Sequence, residues 1–155
     1  LHRLIRRQRQ MCIRDSYGKG KRTGKYGTFL LACFDTEEGN FKTFTRVATG
    51  FSDKDLDFFY QKLSNIQLNN KPKEVVSEIE CSVWFEPKIV IEVTGAEITI
   101  SQLHTCARGW LKGINDGLAL RFPRFTGRIV EDKNPEDATT VNEIVTIFLN
   151  QKGES

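Results

Sequence analysis

The sequence contains few of the residues that build metal centres and disulfide frameworks. It has four cysteines and two histidines among 155 residues, and the cysteines show no C-x-x-C spacing, so no zinc-binding set can be recognised. Cys33 and Cys81 lie in apolar, strand-like runs, which indicates reduced core cysteines of an intracellular protein. His104 has no partner at ligand spacing and is predicted to be structural or exposed. No apolar run is long enough to span a membrane, so we expect no membrane partner. The scarcity of cysteine and histidine ligands likewise leads us to expect no bound metal.

Net charge is also close to zero outside the first sixteen residues. The chain carries 23 basic and 20 acidic residues, a net charge of +3, and residues 1–16 hold five of the arginines and one aspartate. The remaining 18 basic and 19 acidic residues leave a body that is close to neutral. If this body binds nucleic acid, it must gather its cations on one face. The length fits one domain with a real core.

Residues 1–16 lack a sustained apolar face and are predicted to form a disordered tail. A basic nucleic-acid arm and a poorly cleaved signal sequence are alternatives, although no apolar h-region is present. The end of the segment, M-C-I-R-D-S, resembles translated sequencing-adapter sequence. We therefore predict that residues 1–16 are non-native and dispensable, that residues 17–150 form the domain, and that residues 151–155 are a C-terminal tail.

The pattern of the body predicts a mainly β domain. Residues 26–34 and 41–48 are β-rich and are joined by turn-forming residues, which is typical of a hairpin. Pro123 indicates an edge or a bend between the last two predicted strands. Further strands are predicted at residues 83–85, 89–93, 97–101, 118–122 and 125–130.

Two helices are predicted among these strands. Ser52 can cap a helix that begins near Asp53, with apolar residues at helical spacing along one face. Thr140 and Glu143 form a capping box before a short closing helix. Five or six strands with an inserted helix are typical of an OB-fold barrel, although periodicity alone allows other small barrels.

Residues 121–133, R-F-P-R-F-T-G-R-I-V-E-D-K, interleave cations with aromatic side chains. This composition suits phosphate and base surfaces, and the alternative is a strand with a solvated basic face. The order of the residues resembles the C-terminal end of ATP-dependent DNA ligases of archaeal or eukaryotic type, where R-F-P-R-F runs into E-D-K and then P-E-D-A-T-T. The blocks Y-G-K-G-K-R-T-G-K-Y-G at residues 17–27 and T-G-F-S-D at residues 49–53 resemble the same family. The resemblance covers about residues 17–150 and selects the OB fold.

The resemblance implies an enzyme that seals nicks in double-stranded DNA during replication and repair. Such ligases attack ATP with the lysine of a K-x-D-G motif, and this chain contains no such motif. We therefore expect an adenylation domain in the same parent chain, ATP and Mg²⁺ as cofactors of the complete enzyme, and no activity or stable cofactor binding by this domain alone. A monomer is expected, cytoplasmic in an archaeal-like source or nuclear in a eukaryotic one.

The resemblance also implies a role in adenylation for three residues. Lys133 would hold the leaving pyrophosphate, and Asp132 would help to orient it together with its magnesium ion. The alternative for this pair is a surface salt bridge at a turn. The family usually places an arginine two residues before the aspartate, where this chain has Val130. Either Arg128 substitutes for that arginine, or adenylation is weakened.

A second implied role is contact with DNA on the minor-groove side of the nick. Arginines suit phosphates because they form two hydrogen bonds at once. Phe122 matches an aromatic that resembles a minor-groove wedge, and its alternative is ordinary core packing. Arg108 and Lys112 could add to the surface, and for the glycine-rich loop the alternative is a solvated basic loop. The predicted DNA-binding residues are Lys19, Lys21, Arg22, Lys25, Arg121, Phe122 and Arg124.

Two other functions stay open from the residues. One is the OB domain of an RNA ligase or a capping nucleotidyltransferase, and the other is a stand-alone protein that binds single strands. The T-G-F-S-D block and the E-D-A-T-T block at residues 136–140 favour a DNA ligase over a capping enzyme. A stand-alone binder would need no E-D-K cluster and would prefer single strands through stacking aromatics.

Overall fold

The computed structural model describes residues 4–15, 28–79, 81, 83–130 and 139–153. The described part is mainly β, as predicted, with nine strands and two helices. None of its helices is both long and apolar enough to cross a bilayer. The elements are β1 (Leu4–Asp15), β2 (Thr28–Asp35), β3 (Asn40–Val47), α1 (Asp53–Ser64), β4 (Gln67–Leu68), β5 (Val75–Val76), β6 (Val83–Gly95), β7 (Glu97–Ser101), β8 (Gly117–Arg121), β9 (Arg124–Val130) and α2 (Val141–Gly153).

The strands form two sheets. Seven strands make the first sheet, in the order β4-β6-β1-β2-β3-β5, with β9 also paired to β6, and β7 and β8 make an antiparallel pair. The mainly β fold agrees with the OB-type class that we predicted, and no pairing among the described residues closes the larger sheet into a barrel. Instead, β8 lies against β3 through side chains. The hydroxyl of Thr45 donates a hydrogen bond of 2.9 Å to the carbonyl oxygen of Leu120.

The first strand lies in the middle of the larger sheet. β1 pairs antiparallel with β2 on one side and with β6 on the other, which differs from the disordered tail predicted for residues 1–16. Without a strand in this position, β2 and β6 would each present a row of unpaired backbone N–H and C=O groups. Backbone pairing depends little on side-chain type, so the apolar pattern of the segment carried little information about it. The proposed non-native origin of the segment stays a prediction.

The core lies between the larger sheet, the β7–β8 pair and the two helices. Ser52 and Asp55 form a capping box at the start of α1, which then buries Leu56, Phe59 and Leu63. At the other end of the chain, the side chain of Thr140 accepts a hydrogen bond from the backbone N–H of Glu143. Both predicted helix starts are therefore confirmed.

The cysteine prediction is half correct. Cys33 is free and fully buried on β2. Cys81 is disulfide-bonded, contrary to the reduced core residue that we predicted. Its position explains the difference, because Cys81 is only partly buried and precedes β6 rather than lying within a strand.

Candidate nucleic-acid interface

The turn between β8 and β9 presents an aromatic ring to solvent. Phe122 is 69% exposed and has a φ of +54°, a backbone conformation that is uncommon for a residue other than glycine. The core-packing alternative for Phe122 is therefore wrong. Pro123 completes the bend between the two strands, as predicted. A single exposed apolar side chain is common on protein surfaces, so the case for a binding site depends on the arginines on either side of this ring.

Arg121 lies beside this ring at the end of β8. Its guanidinium carbon is 4.8 Å from the centre of the Phe122 ring, and Nη1 is 3.3 Å from Oε1 of Glu97. Glu97 is the cross-strand partner of Arg121 in the β7–β8 register. The side chain of Arg121 stays half exposed, so this cation is oriented by two neighbours while still open to a ligand.

Arg124 begins β9 on the other side of the turn. It is exposed, and within the described part of the chain no carboxylate pairs with its guanidinium. Its charge is thus available to an anion without first breaking an internal ion pair.

Arg128 lies at an irregularity in β9. Ile91 of β6 pairs with Ile129 of β9, whereas Val93 pairs with Phe125, so β9 contains two extra residues between these pairs. Gly127 lies within this bulge and has a φ of +95°. Regular strand alternation would place residues 128 and 130 on the same side of the sheet, and such alternation does not extend across a bulge. The guanidinium of Arg128 is exposed and lies 3.5 Å from the carboxylate of Glu92.

Two side chains of the loop between β7 and β8, those of His104 and Arg108, are engaged inside the protein. His104 is buried, and this burial, together with the charge of Arg108, lowers the pKa of the imidazole to about 4. Arg108 pairs with Glu78 and donates to the carbonyl oxygens of Gln102 and His104. His104 is therefore structural, the first of the two alternatives predicted for it, and the guanidinium of Arg108 is engaged by partners within the protein.

Six predicted site residues lie outside the described residues. They are Lys19, Lys21, Arg22 and Lys25 of the basic loop, and Asp132 and Lys133 of the E-D-K cluster. The structure brings together Arg121, Phe122 and Arg124 at one turn. Among the described residues, no group of three or more His, Cys, Asp or Glu side chains converges to hold a metal ion.

Sequence reasoning missed the carboxylates that face the arginines. Glu97 pairs with Arg121 of the predicted DNA-binding residues, and Glu92 pairs with Arg128 of the predicted adenylation residues. Folding the strands predicted at 97–101 and 118–122 into an antiparallel pair places Glu97 opposite Phe122, one residue from its observed partner Arg121, so this pair could have been found to within one position. The Glu92–Arg128 pair could not, because the bulge in β9 shifts the register.

Comparisons with known proteins agree on one family. Residues 22–133 match the family described as the ATP dependent DNA ligase C terminal region. The chain is 51% identical over 136 residues to a DNA ligase of Caldivirga maquilingensis, and 51% identical over 137 residues to a DNA ligase of Pyrobaculum islandicum. A probable DNA ligase of Aquifex aeolicus is 49% identical over 137 residues. Each alignment covers 88% of this chain and 22–23% of the relative, so the chain spans less than a quarter of the length of these relatives.

Solved structures share the fold at much lower sequence identity. The ligase domain of LigD from M. tuberculosis superposes with a TM-score of 0.63 at 19% identity, covering 89% of this chain and 39% of that one. A mycobacterial DNA ligase D complexed with ATP and MES gives a TM-score of 0.60, also at 19% identity, covering 90% of this chain and 38% of that one. These likenesses support the predicted fold class.

Proposed function

Because the chain belongs to the family of C-terminal regions of ATP-dependent DNA ligases, we propose that it is the DNA-binding, OB-type domain of an enzyme that seals nicks in double-stranded DNA. The observation that carries the proposal is the exposed ring of Phe122 between Arg121 and Arg124. The adenylation domain of the parent chain is the proposed intramolecular partner, and the complete enzyme is proposed to act as a monomer. Since the relatives are archaeal and bacterial, we favour a cytoplasmic location over a nuclear one.

The two arginines and the ring have complementary roles on a duplex. Arg124 would take a phosphate with two parallel hydrogen bonds, because no internal carboxylate competes for it among the described residues. Arg121 would contact a neighbouring phosphate while staying stacked on the ring. Phe122 would insert into the minor groove, where wedging costs a few kcal/mol of unstacking and bends the duplex towards more protein surface.

The glycine-rich loop would extend the phosphate surface. Lys19, Lys21, Arg22 and Lys25 supply four cations within seven residues. Glycines in such a loop let the backbone approach a phosphate closely. The loop would add affinity that depends on salt but carries no sequence preference.

A second proposed role concerns adenylation of the parent enzyme. Negative charge grows on the pyrophosphate as it leaves ATP, and cations aimed at that position stabilise the transition state. Lys133 and Arg128 are the proposed cations, with Asp132 as an orienting group. The carboxylate of Glu92 would have to release Arg128 for this role.

A chimaera tests whether the two roles are separate. The domain is grafted onto a compatible ligase catalytic domain, and enzyme adenylation is measured apart from sealing of a pre-adenylated nick. Asp132→Ala and Lys133→Ala should slow adenylation by roughly ten- to a thousandfold and spare sealing, since pyrophosphate has left before DNA is sealed. Arg121→Ala should do the reverse. Lys73→Ala removes an exposed lysine from the loop before β5 and is the control that should change neither step.

Two further outcomes of the same chimaera decide the details. Val130→Arg should raise the rate of adenylation if Arg128 is an imperfect substitute, and should have no effect if Arg128 already fills the role. If Asp132→Ala and Lys133→Ala impair only the sealing of pre-adenylated DNA, the pyrophosphate role is wrong and the cluster belongs to the DNA surface.

A further inference from the structure

The turn that carries Phe122 is held at both of its ends. On the β8 side, the backbone N–H of Ala96 donates a hydrogen bond of 2.9 Å to the carbonyl oxygen of Arg121. On the β9 side, the N–H of Phe125 donates a hydrogen bond of 2.8 Å to the carbonyl oxygen of Thr49. The second contact comes from the connection between β3 and α1, a segment to which we assigned no role in DNA binding.

Gly50 lets this connection approach β9 closely. Its φ is +97°. A Cβ at this position would overlap the carbonyl oxygen of Phe125, and it would lie 2.8 Å from the amide nitrogen of Phe125 and 2.9 Å from Cγ of Arg124. Both the conformation and the space therefore require glycine. The backbone of Gly50 forms the surface on which the aliphatic part of Arg124 rests.

Phe51 packs the same segment against the core. Its ring stacks on Phe125 with a centroid distance of 4.7 Å and an interplanar angle of 14°. It also contacts Phe29 at 4.9 Å and Phe59 at 5.8 Å. The start of β9 is thus connected through Phe51 to β2 and α1, which are among the most deeply buried parts of the domain.

We propose that residues 49–51 form a clamp that presets Arg124 and the neighbouring Phe122 for DNA, and that Gly50 is a positioning residue of this binding surface. The inference rests on the proposed function. A surface that is already ordered loses less conformational entropy when it binds. The clamp should therefore raise the affinity for DNA as well as the stability of the fold. The strained φ of Phe122 needs such support from both sides, because nothing buries its own side chain.

Gly50→Ala and Gly39→Ala form a matched pair that separates positioning from strain. Gly39 has a φ of +70°, and a Cβ there would meet nothing within 4 Å. Both substitutions place alanine at a positive φ and should lower Tm by a few degrees. Only Gly50→Ala also pushes against Arg124 and Phe125. We expect it to weaken binding to a nicked duplex about tenfold, the size of one lost DNA contact, while Gly39→Ala stays within about twofold of the unsubstituted protein.

Amide hydrogen exchange provides a readout that does not need DNA. The Phe125 amide should exchange faster in Gly50→Ala than in Gly39→Ala, because its hydrogen bond to Thr49 is broken. If the unsubstituted protein binds nicked duplex and Gly50→Ala binds equally well, the clamp inference is wrong while the proposed function stands. If the unsubstituted protein does not bind but the Phe125 amide loses protection only in Gly50→Ala, the proposed function fails and the clamp is merely structural.

A second variant covers the case in which Gly50→Ala does not fold. Phe51→Leu keeps an apolar side chain but removes the ring stacked on Phe125. It should weaken duplex binding at a temperature where the variant is fully folded. Unchanged affinity in a folded Phe51→Leu protein would contradict the clamp.

A separate observation concerns two buried thiols. The thiol of Cys33 on β2 donates to Sγ of Cys106, with 2.9 Å between the sulfur atoms, and neither residue is exposed. Cys106 is itself held between the sheets, because its N–H donates to the carbonyl oxygen of Thr43 and its own carbonyl oxygen accepts from the N–H of Leu118. Burial, followed by the neighbouring Cys33, raises the pKa of the Cys106 thiol.

We infer that Cys33 and Cys106 are a site of disulfide formation by peroxide. Because both sulfur atoms are buried, local opening must first admit the peroxide. One thiol is then oxidised to a sulfenic acid with release of water, and the second thiol displaces a second water as the S–S bond forms. Each sulfur loses its hydrogen, and the peroxide is reduced to two waters. The bond would join β2 of the larger sheet to the loop that precedes β8, across 73 residues of sequence. A link over so long a loop should raise the stability of the oxidised protein.

Peptide mapping after peroxide treatment tests this site. In a Cys12→Ser, Cys81→Ser background the protein should lose the mass of two hydrogen atoms, yield a Cys33–Cys106 cross-linked peptide, and melt several degrees higher than its reduced form. Cys106→Ala in the same background is the control that should show none of these changes. If that background does not fold, the cross-linked peptide is sought in the unsubstituted protein. Peroxide treatment that yields only sulfinic acids, or a link only under denaturing conditions, would overturn the inference.

Discussion

Truncation of Phe122 should weaken DNA binding and leave the fold intact. The ring is 69% exposed, so Phe122→Ala removes little buried area, and the free energy of unfolding should change by no more than about 0.5 kcal/mol. Truncation of a buried phenylalanine such as Phe125 would instead cost about 3–5 kcal/mol. Contact between an aromatic side chain and a base is worth about 1–3 kcal/mol when measured by alanine substitution. The expected loss of affinity is therefore about 5- to 150-fold.

Fluorescence anisotropy with labelled DNA measures this loss. Nicked duplex, intact duplex and single strand are compared at one fixed salt concentration, because binding through phosphates depends strongly on salt. Leu149→Ala is the control, since Leu149 is 52% exposed but lies on α2. A nicked-duplex Kd within about twofold of the unsubstituted protein would refute the wedge. A Tm lower by several degrees would instead show that the ring packs in solution.

Three further predictions address other parts of the molecule. Incubated with radiolabelled ATP and magnesium, the chain should form no covalent AMP adduct on a denaturing gel, because it contains no K-x-D-G lysine; a labelled band would contradict this. Deletion of residues 1–16 should lower Tm by much more than a surface change does, because β1 pairs on both sides, and an unchanged Tm would restore the dispensable tail that we first predicted. Because the pKa of His104 is lowered to about 4 from 6.5, its contribution to stability is complete above about pH 6.5 and falls by up to about 3 kcal/mol as the pH drops to 4. Differential scanning fluorimetry should show this as a decline in Tm that is flattened in His104→Gln.

Local signals in the sequence predicted most of the elements. The β2–β3 hairpin and the caps of both helices follow from turn residues and side-chain hydrogen bonds that act over a few positions. The strands predicted at residues 83–85 and 89–93 are one strand, β6, which runs through Pro87. Proline normally breaks a ladder of backbone hydrogen bonds, and here it lies at the register shift between the two paired parts of the strand.

The prediction of the site was limited by long-range contacts. The pattern placed Arg121, Phe122 and Arg124 together correctly, because they are neighbours in sequence. It left the exposure of Phe122 open, since a phenylalanine beside a strand packs inward as readily as outward. It assigned no role to Gly50, whose importance depends on contact with residues more than seventy positions away. The bulge around Gly127 was also hidden, because a glycine signals irregularity but not its register.

Amide chemical-shift mapping with a nicked duplex tests the central claim most directly. An isotope-labelled sample of the domain is titrated with nicked duplex and, separately, with the same sequence as a single strand. The account predicts that the largest shifts lie at residues 117–128 and 49–51, that the turn around Gly39 is unaffected, and that the duplex binds more tightly than the single strand. Shifts centred away from the Phe122 turn, or tighter binding of the single strand, would contradict the assignment of this surface to nicked DNA.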